Sequence, residues 1–177
     1  MKTLPDYLRA GLDIVSIGLN PSLPSVRAGF YFANPRNRFW RALNASGLLA
    51  APVEPGIDAM RIVATRDGIG FTDVVKRPTA GGGELRAADY RTWAPVLRAK
   101  LIAYQPRIAW FHGKLAFGNY LRYAEDRRER IDWGLQAFTL GACRVFVTPN
   151  TSPANAAYTL DDLTEWMCRL AALRAGL

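Results

Sequence analysis

The chain has 177 residues, half of them apolar, with 23 lysines and arginines against 15 aspartates and glutamates, a formal charge of +8. That length buries one core, so a single domain over residues 1–177 is expected, and the basic excess favours a polyanionic partner such as nucleic acid over acidic proteins or free cations. One histidine, His112, and two cysteines, Cys143 and Cys168, are too few for a tetrahedral zinc site, a disulfide framework or an iron–sulfur cluster. No metal or other cofactor is therefore expected, and the cysteines read as reduced core thiols.

Met1-Lys2-Thr3-Leu4-Pro5-Asp6 lacks the apolar core of a secretory leader, and no apolar stretch approaches the roughly 20 residues of a membrane span. The expected location is the cytoplasm. Ile14-Val15-Ser16-Ile17-Gly18-Leu19 is a continuous apolar run stopped by Asn20-Pro21, the pattern of a strand buried on both faces. After it, Phe39, Trp40 and Leu43 carry helical spacing. Leu49 to Gly56 is irregular. Gly70-Phe71-Thr72-Asp73 reads as a second strand, and Lys76-Arg77-Pro78-Thr79-Ala80-Gly81-Gly82-Gly83 after it as a basic, flexible loop. That loop is either a phosphate contact or an ordinary solvated segment.

Asp89 to Ala103 is amphipathic, with Pro95 predicting a kink or a late helix start. Ile108-Ala109-Trp110-Phe111 and Cys143-Arg144-Val145-Phe146-Val147 repeat the buried-strand pattern. Leu115, Ala116 and Phe117 open a helix after the first of them, and the charges from Arg122 to Arg130 form a solvated face. Thr159 and Asp162 make a capping-box-like start to a last helix with Leu163, Trp166, Met167, Leu170 and Leu173 on one stripe. Strands alternating with helices predict a mostly parallel central sheet in a three-layer α/β/α sandwich.

Ligands of such sheets bind beyond the carboxyl ends of the strands. There lie Gly18-Leu19-Asn20-Pro21-Ser22, Phe71-Thr72-Asp73, His112-Gly113-Lys114, and Thr148-Pro149-Asn150-Thr151-Ser152-Pro153-Ala154-Asn155. An uncharged amide, a proline turn and the aromatics of Gly29-Phe30-Tyr31-Phe32-Ala33-Asn34-Pro35 suit a flat, uncharged ring such as a nucleobase.

These segments, with Asn37-Arg38-Phe39-Trp40, Tyr104-Gln105-Pro106-Arg107-Ile108-Ala109 and Trp133-Gly134-Leu135-Gln136, resemble the mismatch-specific uracil-DNA glycosylase and thymine-DNA glycosylase branch of the uracil-DNA glycosylase superfamily. The likeness runs from about Ile14 to the final helix. It implies a monofunctional glycosylase that flips a base from duplex DNA and hydrolyses its bond to deoxyribose, uracil opposite guanine being the best substrate. Hypoxanthine excision and non-catalytic reading of damaged DNA are the alternatives, and the partner is double-stranded DNA with a mismatched or damaged base, with single strands also considered, bound by a monomer.

In that resemblance Asn20 matches the asparagine that positions the attacking water, and Phe32 the aromatic that stacks on the base beside Tyr31, Gly18 and Leu19. Neighbouring backbone N–H groups are expected to stabilise the leaving base. Ser22 replaces the family's glycine and narrows the space beside the base. Asp73, where relatives carry lysine or asparagine, is read as a general base or electrostatic stabiliser, or else as a turn cap. Lys76, Arg77 and Lys114 are expected on DNA, with Asn150, Ser152, Pro153, Ala154 and Asn155 of the last loop. Ala154 stands where relatives push a large side chain into the gap left by the flipped base, so Asn155 or another loop must fill it. His112 reads as a strand-end packing residue.

Overall fold

The computed structural model describes residues 1–177. Five strands, Ile14–Gly18 (β1), Ile69–Asp73 (β2), Ile108–His112 (β3), Gly134–Leu140 (β4) and Cys143–Thr148 (β5), form one sheet in the order β2-β1-β3-β5-β4. All neighbours are parallel except β4, which returns antiparallel to β5. The helices are Leu23–Ala28 (α1), Phe39–Ala45 (α2), Ile57–Arg66 (α3), Ala87–Tyr104 (α4), Lys114–Ala124 (α5) and Leu160–Ala175 (α6).

Alternation along the inner strands divides the core in two. Ile14, Ile69, Phe71, Ile108, Trp110 and Phe146 face α1, α2, α3 and α6, whereas Val15, Ile17, Ala109, Phe111, Val145 and Val147 face α4 and α5. Every residue of β1, β2 and β3 is buried, as a strand covered on both sides requires. Each fully buried aliphatic or aromatic side chain contributes about 1.5–3 kcal/mol, and Trp110, Tyr120, Phe39, Phe71, Phe111 and Phe117 head the list by size. The expected three-layer α/β/α sandwich is the observed architecture.

Three elements escaped the sequence reading. β4 buries only Gly134 and Phe138, because it is an edge strand whose alternate side chains, Leu135, Ala137 and Thr139, face outward. α1 is a single capped turn or two, with Ser22 as N-cap. α3 buries Ala59, Met60, Val63 and Ala64, a 3.6-residue stripe, directly after the irregular segment.

Helix α4 does not start late. It begins at Ala87 and runs through Pro95, because both Pro95 and Arg91 lie on the exposed side, where water can take the carbonyl that proline leaves without a donor. The capping box at Thr159 is present: Thr159 Oγ1 accepts from the Asp162 amide at 3.1 Å and Asp162 Oδ2 from the Thr159 amide at 2.8 Å. Of the two free cysteines only Cys143 is buried, and Cys168 is half-buried on α6. No helix is long and apolar enough to cross a membrane.

Candidate active site

β1 is flanked by β2 on one side and β3 on the other, so the chain leaves its carboxyl end where the connections diverge. A cleft of about 530 Å³ opens there. Gly18, Leu19, Asn20, Ser22, Tyr31, Phe32, Asp73, Asn150, Ser152, Ala154 and Asn155 line it, together with Thr79, Gly81 to Gly83, His112 and Leu115.

The β1–β2 pairing continues past both strands through Val74 N–H to Gly18 O (2.8 Å) and Val75 N–H to Leu19 O (3.0 Å). Farther on, Thr79 N–H donates to Pro21 O and Leu23 N–H to Thr79 O, both at 3.2 Å. The segment read as a flexible basic loop is therefore zipped to the one that carries Asn20. That zipper fixes the Asn20 amide, whose Nδ2 donates to Arg77 O at 2.9 Å and to Thr79 Oγ1 at 2.8 Å. Thr79, itself buried, passes its own proton to Gly81 O at 2.8 Å. With both amide hydrogens spent, Oδ1 is the end of the side chain left to accept a bond. Thr79 has no signature in the sequence beyond its place in the loop.

Asp73 pairs with Gly18 across β1 and β2. A methyl group on Gly18 would stand 2.9 Å from Asp73 Oδ1, so glycine there admits the carboxylate to the end of β1. The Asp73 side chain is 3% exposed, and its Oδ2 accepts from Lys76 Nζ at 3.1 Å.

Lys76 is not on the surface. Its ammonium also donates to Asp6 Oδ1 at 2.9 Å and Tyr31 Oη at 3.0 Å, beneath the cleft. This corrects its placement among DNA contacts: the buried Asp73 and the partly buried Asp6 hold its charge inward. Asp6, which nothing in the sequence marks, arrives because Tyr7 pairs with Phe71 on the open edge of β2. It takes further bonds from Lys100 Nζ at 2.5 Å and Thr72 Oγ1 at 2.8 Å.

Burial pushes the Asp73 carboxyl above its ordinary range, against the pull of Lys76. Burial would raise Asp6 too, but Lys76 and Lys100 outweigh it and hold that carboxyl low. For Lys76 burial acts to lower the pKa, and Asp73 and Asp6 reverse the sign.

Phe32 adopts a left-handed backbone (φ 58°), a conformation that costs a non-glycine residue on the order of 1 kcal/mol or more. Its ring stacks on Phe39 with centroids 3.9 Å apart and planes 18° apart, so α2 backs a half-buried ring at the cleft wall. Tyr31 is buried, its hydroxyl donating to Pro5 O at 3.1 Å. The Ala33 amide donates to Ser25 Oγ at 3.1 Å, which withdraws it from the backbone donors expected beside Phe32. Ser22 is also committed. Its Oγ caps α1, accepting from the Ser25 amide at 3.2 Å and donating to Ser25 Oγ at 3.0 Å.

His112 ends β3 inside the cleft wall, 4% exposed. Its Nε2 lies 2.7 Å from Ser16 Oγ, and Nδ1 has no partner. The rings of Trp110, Phe32 and Phe39 surround it at centroid distances of 4.3, 5.2 and 5.6 Å. Burial holds its pKa near 3, so the ring is neutral.

The last loop is shaped from α2. Arg38 spends its guanidinium on the carbonyls of Tyr158, Ser152 (2.8 Å) and Asn155 (2.8 Å), and Asn37 Oδ1 accepts from Thr151 Oγ1 at 2.8 Å. Asn155 Nδ2 donates back to Asn150 O at 2.9 Å, so its amide braces the loop. Pro153 and Ala154 are exposed, Ala154 alone of the two bordering the cleft. Lys114 is exposed with its ammonium 4.5 Å from the Trp133 ring centre. Arg77 is 38% exposed and paired with Asp89 at 2.7 Å, which holds that carboxyl down to about 2. Neither basic residue lines the cleft.

Two comparisons bear on this arrangement. The solution NMR structure of a candidate uracil DNA glycosylase from Methanosarcina acetivorans superposes with a TM-score of 0.62 at 21% identity, covering 97% of this chain and 98% of that one. The likeness is one of fold. The model of the uracil DNA glycosylase superfamily matches residues 5–172, from the segment that delivers Asp6 to the last helix. The chain belongs to the uracil DNA glycosylase superfamily.

Proposed function

We propose that this DNA glycosylase extrudes a deaminated base from duplex DNA, uracil opposite guanine foremost, and hydrolyses its N-glycosidic bond to leave an abasic site. One observation carries the reading: an asparagine amide whose two hydrogens are spent on Arg77 O and Thr79 Oγ1, in a cleft it shares with a buried carboxylate and a stacked aromatic.

In this mechanism the base lies against Phe32. Asn20 Oδ1 accepts a hydrogen bond from water and aims its oxygen at the anomeric carbon, which is catalysis by positioning, since an amide is too weak a base to ionise water. The carbon–nitrogen bond breaks with its electron pair going to the base, and the ionised Asp73 stabilises the cationic sugar and takes the proton that the water releases. A pKa above the usual carboxylate range suits that last task. Leu115, 62% exposed on the rim of the cleft, is the apolar side chain offered to the gap that the flipped base leaves. Arg77, Lys114 and the tip from Ser152 to Asn155 meet the DNA backbone around it. The working compartment is the cytoplasm and the active unit a monomer.

Hypoxanthine is the second substrate to test, because Gly81 to Gly83 set no side chain on one wall and leave room for a purine. The decisive measurement is base release from labelled oligonucleotides, assayed as alkali-labile strand breaks. Uracil opposite guanine, uracil opposite adenine, single-stranded uracil, thymine opposite guanine, and hypoxanthine form the panel. Release from uracil opposite guanine by wild type, abolished in Asn20→Ala, is the expected result. Release from none of them defeats the proposal.

A further inference from the structure

His112 and Tyr31 are the buried titratable groups in the cleft wall that the mechanism above leaves idle, and the Tyr31 hydroxyl is already bonded to Pro5 O and Lys76 Nζ. His112 is the one buried side chain there with an unpartnered polar atom. Its tautomer follows from its neighbour. Ser16 Oγ, 1% exposed on β1, makes a single hydrogen bond, to His112 Nε2. The hydroxyl proton has no other acceptor in reach, so Ser16 donates and Nε2 accepts. A neutral imidazole that accepts at Nε2 carries its hydrogen on Nδ1. Its aromatic neighbours are Trp110, Phe32 and Phe39 and Nδ1 meets no acceptor, so this N–H is a buried, unpaired donor on a ring that borders the cleft. A protein rarely leaves such a donor unmet unless a ligand meets it.

Resting on the reading of the cleft as a base pocket, we infer that the Nδ1–H of His112 donates to a keto oxygen of the extruded base and thereby selects deaminated bases over their amino parents. Deamination replaces an exocyclic amine, which donates, with a carbonyl, which accepts: cytosine becomes uracil and adenine becomes hypoxanthine. A fixed donor rewards the carbonyl and faces the amine donor to donor, leaving two buried hydrogens unpaired. Rejection by an unmade buried bond is stronger than rejection by shape alone. Because burial keeps the ring uncharged, the donor does not switch to a cation across the working pH range. The device requires Ser16 as much as His112, since the serine proton decides which nitrogen is the donor.

His112 is the only histidine, so a protein labelled with ¹⁵N-histidine gives one imidazole spectrum. The expected spectrum has a protonated Nδ1 and a bare Nε2. The Nδ1–H signal should move on binding a duplex with 2′-fluoro-2′-deoxyuridine, whose fluorine resists cleavage, and stay in place with the matching cytidine duplex. A proton on Nε2, or no response to the uridine duplex, overturns the inference whatever the variants do.

The kinetic arm compares uracil with 2-pyrimidinone, which lacks the 4-keto oxygen. The preference for uracil over 2-pyrimidinone should fall roughly ten- to hundredfold in His112→Phe, the worth of one buried hydrogen bond, and largely return in His112→Asn, which restores an N–H donor. An unchanged preference in a folded His112→Phe overturns the role of His112 and leaves the glycosylase reading intact. Wild type that releases no base defeats that reading instead.

Discussion

Lys76→Met removes a buried ammonium and keeps most of its stem. Asp6 retains Lys100, so the carboxylate stranded by the change is Asp73, whose side chain is 3% exposed. Breaking a buried pair in this way costs about 3–5 kcal/mol. The limit on that cost is set by protonation. Without Lys76, burial drives the folded pKa of Asp73 further above the 3.8 of its unfolded counterpart. Wild type carries the same sign, since its own Asp73 already lies above the ordinary carboxylate range, so the variant's extra loss is about 1.4 kcal/mol for each pH unit by which its folded pKa exceeds the wild type's.

The sign is that of a raised folded pKa: the variant keeps its stability below 3.8 and loses it as pH rises towards the folded value. Urea unfolding of wild type and Lys76→Met, at pH about 5, 6 and 7, measures the difference. A stability loss that grows with pH across this range, by at most about 1.4 kcal/mol per unit, is expected. In the double variant Lys76→Met, Asp73→Asn most of the pH dependence should vanish. A loss of the same size at every pH, or one that persists in the double variant, refutes the buried-charge account.

Three other outcomes follow from the same geometry. Asp73→Asn should lower single-turnover base release roughly a hundredfold, the scale of a general base, with affinity for uracil-containing duplex similar or tighter. The wild-type rate should climb with pH as Asp73 ionises above the ordinary carboxylate range, and that limb should be missing in the variant; an unchanged rate removes Asp73 from the mechanism. Thr79→Val takes one of two anchors from the Asn20 amide, so single-turnover release should slow about tenfold, the worth of one hydrogen bond, with the dissociation constant for DNA unmoved. Leu115→Ala should leave thermal unfolding unchanged, because the side chain is 62% exposed, while weakening extrusion several-fold by 2-aminopurine fluorescence beside the target base.

The inner strands were legible because burial on both faces leaves uninterrupted apolar runs, and the strand ends were legible because Asn-Pro, Asp-Val-Val-Lys, His-Gly-Lys and Thr-Pro-Asn break those runs. Asn20, Phe32 and Asp73 were found by that route and by resemblance, and they share one cleft. What the sequence concealed was direction. A lysine in a Lys-Arg-Pro stretch looks like a surface charge, yet Lys76 turns inward, because Asp6 comes from 70 residues away to meet it. Asp6 and Thr79 act through tertiary hydrogen bonds, and no local pattern announces those. β4 lacked the apolar run of its neighbours, although the Gly141-Ala142 turn between Leu140 and Cys143 is a hairpin signal.

Arg38 grips the last loop by its main-chain carbonyls. Arg38 binds the oxygens of Ser152, Asn155 and Tyr158, atoms that every amino acid supplies. Its outline is thus written at residue 38, while the content of its tip, Pro153 and Ala154, is free to vary. An arginine or leucine introduced at Ala154 would inherit a ready-made backbone, so the way this protein fills and reads the vacated base pair can be rebuilt by exchanging one side chain without remaking the loop that presents it.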